Sequence, residues 1–519
     1  MLKLISLAVL VATALTAAPA GKKPKLVVAI TIDQFRYDYL TRFRASYKGG
    51  LARMLDRGAV FTNAHYDHFP TVTAVGHATI LSGALPSISG IVGNQWFDRE
   101  SGKQVTSVSD DQSELFGGVA GARGSSPRRL LVSTLADELR MANPQSKAVG
   151  LSSKDRSAIL PVGHMANGAY WFDTTTGNFV SSSYYFPQLP AWVVKFNESR
   201  IVDRWAGKEW RAVDGPAADK PFRVLPAAGS KSYYDVLDRT PFHNDLLVAF
   251  AQAAIEAEQL GADDIPDVLS VSFSANDRIG HSLGPDSPQV RDVSIQSDRS
   301  LADFFDYLDK KIGEGNYIAF LTADHGVAPL PEVMQKRGMP GGRMPEGVVL
   351  NAVRTALAAR FGDGNWVVGS SGPAPYLNYA LITQKKLNVE EVQSVAAAAV
   401  RDLPHIYRVY TRSELRRGSG IEDLIDRRVR NGFHYQRASD LFVVSEPYWL
   451  FESSGTSHGT PYNYDSHVPI LFFGAGVKPG RYNNPITVND VAPTLATMLD
   501  VETPSGSSGR VLTEMLTEQ

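Results

Sequence analysis

Asp277 and His281 stand four residues apart in Asp277-Arg278-Ile279-Gly280-His281. A carboxylate and an imidazole at that spacing can grip one cation, whether on a helix or in a tight loop. Asp324 and His325 are adjacent, and neighbours in extended structure point apart, so taken alone they read as a solvated acid beside a packed histidine. Asp33 changes the weighing, because three aspartates crowded into one crevice repel unless cations sit among them. A further imidazole, His458 in Ser457-His458-Gly459, can complete a second metal site. The segment Phe69-Pro70-Thr71-Val72-Thr73 feeds a helix and places Thr71 or Thr73 at its N-terminus. A threonine there is either a hydroxyl cap or a nucleophile whose alkoxide a metal stabilises. His77 and His467 read as packing residues of a helix and a strand, with support of the metal ligands from behind as the lesser alternative.

Four apolar, β-branched runs supply the frame. Residues 26–32 end at Asp33, 148–152 lead into Lys154, 268–274 into Asp277, and 318–322 into Asp324 and His325. Continuous apolar runs of this length are the pattern of parallel strands buried on both faces. In open α/β sheets ligands sit beyond the carboxyl ends of strands, so charged residues at four such ends point to one crevice. Helical patterns at 246–255, with Asn244 or Asp245 as cap, and at 300–308 cover the sheet, and a fifth strand is expected at 468–473. Segments 169–240 and 331–452 break the pattern and read as insertions that cap the crevice. The core is thus expected in three parts, 21–168, 241–330 and 453–519.

Composition narrows the chemistry. No cysteine is present, which excludes disulfides, thiolate-bound metals and thiol nucleophiles, so any metal must be held by His and carboxylates. With 52 basic and 54 acidic side chains the formal charge is −2, and no basic run suggests a nucleic-acid surface. Lys3, the apolar run 4–17 and Ala18-Pro19-Ala20 read as a secretory signal over 1–20, too short for a membrane span. A periplasmic or secreted protein with no membrane span after cleavage is expected.

These residues resemble the zinc alkaline phosphatases related to the nucleotide pyrophosphatases/phosphodiesterases, within the alkaline phosphatase superfamily. The resemblance runs from Asp33 to Val488-Asn489-Asp490-Val491-Ala492-Pro493-Thr494-Leu495. It implies an α/β fold, an alkaline-phosphatase-like core with a mostly parallel sheet between helices, and two zinc ions per chain. By the family pattern Thr73 is the nucleophile and also a metal ligand. Asp33, Asp324 and His325 match the zinc that activates it, and Asp277, His281 and His458 match the other. Asn94 matches a phosphoryl-oxygen donor, while Lys154 and Arg156 match the pair that marks the phosphomonoesterase branch. Spaced two apart, their side chains leave an extended backbone on the same face. The implied substrates are small phosphate monoesters, hydrolysed through a phosphothreonine. The rival is a phosphodiesterase or nucleotide pyrophosphatase on the same metal core.

Overall fold

The computed structural model describes residues 23–216, 218–418 and 423–517; the signal read at 1–20 lies outside the described residues. Eleven strands form the main sheet: β1 (Leu26–Ile32), β2 (Ala59–Phe61), β3 (Ser109–Phe116), β4 (Arg123–Ser125), β5 (Ala148–Ser152), β6 (Gly168–Asp173), β7 (Asn178–Ser182), β8 (Asp267–Phe273), β9 (Tyr317–Thr322), β10 (Ile470–Gly474) and β11 (Gly480–Tyr482). Their order is β11-β2-β10-β9-β1-β8-β5-β6-β7-β3-β4. The run β9-β1-β8-β5-β6 is parallel. Every residue of β1, β5, β8 and β9 is buried, in keeping with their largely apolar and β-branched runs.

The helices that matter here are α1 (Thr73–Ser82), α2 (Asp155–Ile159), α3 (Phe242–Glu258), α4 (Ala275–Leu283) and α5 (Pro288–Lys311). Helix α3 packs on β5 and β8, and α5 packs on α3 and α4. The cap expected at Asn244 or Asp245 is not made. Helix α3 starts at Phe242 behind Pro241, and both polar side chains turn instead to α5. Asn244 Nδ2 donates to Ser297 Oγ at 3.0 Å, and Asp245 Oδ1 accepts from Ser300 Oγ at 2.7 Å. Buried helix–helix hydrogen bonds have claimed the groups that would otherwise cap.

Two boundaries differ from expectation. The segment read as an insertion from 169 opens as sheet, since β6 pairs parallel with β5 and β7 returns antiparallel to it. Its aromatic residues, such as Tyr170 and Phe179, pack on Phe250 of α3, so an aromatic-rich stretch here is core. The strand at the end of the chain begins at Ile470, beyond the proline at 469. It enters antiparallel between β9 and β2, with Ile470 opposite Thr322. The loop before β10 therefore lies at the edge where β9 ends, and His458 belongs to that approach.

Residues 331–452 build cores of their own. The strand Leu441–Ser445 alternates between two of them: Leu441 and Val443 join Val353 and Val392, while Phe442 and Val444 join Leu415 and Val429. Among the described residues no helix is long and apolar enough to cross a membrane.

Candidate active site

The ends of four adjacent strands deliver the chemistry. Asp33 follows β1, Lys154 follows β5, α4 brings Asp277 and His281 after β8, and Asp324 with His325 follows β9. On α4 the four-residue spacing puts His281 Nε2 3.1 Å from Asp277 Oδ1. His325 Nε2 lies 3.3 Å from Asp324 Oδ2, 3.5 Å from Asp33 Oδ1 and 3.4 Å from Thr73 Oγ1. His458 arrives from the loop before β10, with Nε2 3.9 Å from Asp277 Oδ1 and its ring stacked on His325 at 3.5 Å.

One feature recurs in the three imidazoles. Nδ1 of His281 meets the carbonyl of Thr456, that of His325 the carbonyl of Gly326, and that of His458 the carbonyl of Thr71, each at 2.9 Å. A carbonyl only accepts, so each Nδ1 carries a proton and each Nε2 is left to face the carboxylates. This is the tautomer of a metal-ligating histidine with its other nitrogen anchored. Burial holds the His325 imidazole below its usual range. Burial, with His325 and His281 beside it, holds His458 well below.

The carboxylates are equally poised. Burial first, then the charges of Asp277 and Asp324, push the Asp33 carboxyl well up. Burial also opposes ionisation of Asp277, but Lys154 and His281 outweigh it and hold that carboxyl well below the ordinary range. Lys154 Nζ bridges Asp33 Oδ2 at 2.5 Å and Asp277 Oδ2 at 2.6 Å. Asp33 Oδ1 and Asp324 Oδ2 are buried without a hydrogen-bond partner. Two donor sets have their atoms within 4.8 Å of one another: Asp277, His281 and His458; and Asp33, Asp277 and His325. Orphaned carboxylate oxygens facing imidazole nitrogens fit a divalent metal cation. Asp277 belongs to both sets. Asp324, expected with Asp33 and His325, accepts the Gln34 backbone N–H on Oδ1 at 3.1 Å and turns Oδ2 toward His325 Nε2, 3.3 Å away.

Thr73 is the first residue of α1, almost wholly buried, with Val72 as the cap residue and no side-chain cap bond. The capping role open to a threonine here is therefore unfilled. Thr71 Oγ1 is committed to the Thr460 carbonyl at 2.9 Å, leaving Thr73 as the hydroxyl beside His325. Gly76 sets how closely α1 approaches, since a Cβ there would lie 2.1 Å from the Asp324 carbonyl oxygen. Asn94 is brought in too: its Oδ1 accepts the Ala74 N–H at 2.8 Å, which leaves the amide N–H donors to offer. Arg156 is placed differently from the extended pair expected. Lys154 caps α2 and Arg156 lies in its first turn, where residues two apart diverge. Its guanidinium is 3.9 Å from Asp155, partly exposed. The helix is held against β5 at Gly150, where a Cβ would lie 1.9 Å from the Ala158 carbonyl oxygen.

One residue of the cluster went unread in the sequence, and another was read chiefly for packing. Gln34, in the left-handed region at φ 63°, also donates Nε2 to Asp277 Oδ1 at 2.7 Å. Its only signal is adjacency to Asp33. His77, with Nδ1 on the Thr73 carbonyl at 2.9 Å and Nε2 on the Ser272 hydroxyl at 2.8 Å, ties the start of α1 to β8, and its four-residue step from Thr73 is the clue.

Fold and site together define a metal-dependent hydrolase on an alkaline-phosphatase-like α/β core. The chain belongs to the type I phosphodiesterase / nucleotide pyrophosphatase family, which residues 27–467 match. It is 38% identical to alkaline phosphatase PafA of Elizabethkingia meningoseptica, over 96% of this chain and 95% of that one. It is 37% identical to alkaline phosphatase PhoV of Synechococcus elongatus, over 95% and 93%. The crystal structure of wild-type PafA superposes with a TM-score of 0.89 at 36% identity, covering 97% of this chain and 100% of that one.

Proposed function

We propose that this protein is an exported alkaline phosphatase that hydrolyses phosphate monoesters through a phosphothreonine at Thr73. The observation that carries the reading is the Thr73 hydroxyl, buried at a helix start beside His325 Nε2, with two donor sets sharing Asp277 around it. Thr73 Oγ1 gives up its proton and attacks phosphorus in line, the ester P–O bond breaks, and the departing alkoxide takes a proton. Water then attacks the phosphothreonine, releasing phosphate and restoring Thr73. Asp33, Asp324 and His325 would hold one zinc, and Asp277, His281 and His458 the other. Bound zinc supplies Lewis-acid charge to the phosphoryl and leaving oxygens. Asn94 offers amide N–H groups to a phosphoryl oxygen, and Lys154 with Arg156 offers the positive charge a dianionic monoester asks for.

The rival is a phosphodiesterase, which the family's name and an apolar cavity next to His281 and His458 favour. Turnover of an aryl phosphate against the matching diaryl phosphodiester, with zinc and after chelation, separates the two. The expected result is a zinc-dependent preference for the monoester and an acid-quenched phosphopeptide labelled at Thr73. A higher kcat/KM for the diester, or phosphate on Thr71, overturns the proposal.

A further inference from the structure

A cavity of about 620 Å³ opens beside the cluster, within the roughly 300–1,000 Å³ range of small-molecule sites. Its floor includes His281, His458 and Asn94, and Val72 next to Thr73 reaches it. Its far wall comes from residues 331–452 and is apolar: Val348, Leu350, Phe442, Trp449 and Phe451, facing Phe69 of the core. Among the described lining residues none is Lys or Arg, and the charged ones other than histidine are Glu346 and Glu452.

The cavity also lies on a definite side of the cluster. It is walled by His281 and His458, whereas His325, the imidazole beside Thr73, is not among its lining residues. In-line displacement sends the leaving group away from the attacking oxygen. We infer that this cavity receives the leaving group, and that the enzyme is built for monoesters of apolar phenols or alcohols carrying no second phosphate. This rests on the phosphatase reading above. A phosphoryl group alone fills a small part of such a space. An apolar leaving group gains from its walls, and a polyanionic one meets two carboxylates with no Lys or Arg among the lining residues to offset them.

The test uses the zinc-loaded protein and 4-alkylphenyl phosphates from methyl to pentyl, whose phenols leave with nearly constant intrinsic ease. As the chain lengthens kcat/KM should climb by about fourfold per methylene until the cavity is filled. Alkylphosphonates of increasing length should show the same trend as competitive inhibitors, a readout free of chemistry. Replacing the alkyl group with a phosphonate should lower kcat/KM at least roughly tenfold, and the Glu346→Lys, Glu452→Lys double variant should recover part of it. Leu350→Asp and Trp449→Ala should flatten the alkyl series. A length-independent series in both substrates and inhibitors overturns the inference while leaving the phosphatase reading intact. Absence of turnover for every monoester overturns the phosphatase reading itself.

Discussion

Lys154 shows how much one side chain carries. Its ammonium is buried between Asp33 and Asp277, so Lys154→Met leaves a cluster of carboxylates with one positive charge fewer. Breaking a buried pair in this way costs about 3–5 kcal/mol, and the metal-free protein should melt correspondingly lower. Zinc should restore much of the difference, because a cation then meets the same oxygens. In the loaded enzyme loss of the cation should cost roughly ten- to a hundredfold in kcat/KM for monoesters, and less for diesters. An unchanged monoester-to-diester ratio would remove Lys154 from the specificity argument. Thr73→Ala should cut turnover at least roughly a thousandfold with zinc content unchanged, read by metal analysis. Asp33, Asp277 and His281 were readable because a strand end or a helical step fixes where they point. Gln34 was not, since its role depends on carboxylates that chain folding brings from far away in sequence.

The elements that aim these groups leave their own signatures. Gly76 lets α1 lie against the backbone of Asp324. Gly76→Ala should destabilise the protein by about 1–3 kcal/mol and depress activity in the molecules that remain folded, as Thr73 is pushed from His325. The loop before β10 is tied down by Asp465, whose Oδ2 accepts from Thr460 N at 2.7 Å and Thr460 Oγ1 at 2.6 Å. Burial pushes that carboxyl up to about 7. The unfolded group titrates near 4, so between about pH 4 and 7 the folded state binds more protons. Its contribution is fully present below pH 4 and is lost as pH rises to 7. Asp465→Asn should remove this slope, seen as a stability difference from wild type that grows across the window in denaturant titrations; a constant difference would assign the pH dependence elsewhere. The four buried strands were plain in the sequence because a strand covered on both faces is largely apolar. Helix starts were not, since Asn244, Asp245 and the Lys154–Arg156 step answer to neighbours rather than to local propensity.

Across the molecule, two donor sets joined by Asp277 predict that two equivalents of zinc bind and that the melting temperature follows free zinc. Free zinc at a hundred times its dissociation constant should add about 2.7 kcal/mol per site; a melting temperature indifferent to zinc and chelator would contradict the assignment. The sheet's extension through β6 and β7 was hidden in the sequence because aromatic strands and an aromatic lid have the same composition. The placement of β10 has a further consequence. This late strand does not add to an edge; it lies inside the sheet, between β9 and β2, opposite the end of β9 that carries Asp324. While the chain is still emerging from the ribosome, β2 has no partner on that side and the sheet stays open until about residue 474 has been made. Nascent chains stopped before Ile470 should be digested by protease, and chains extended past Tyr482 should resist it. Such a sheet can close only when nearly the whole chain is available to it.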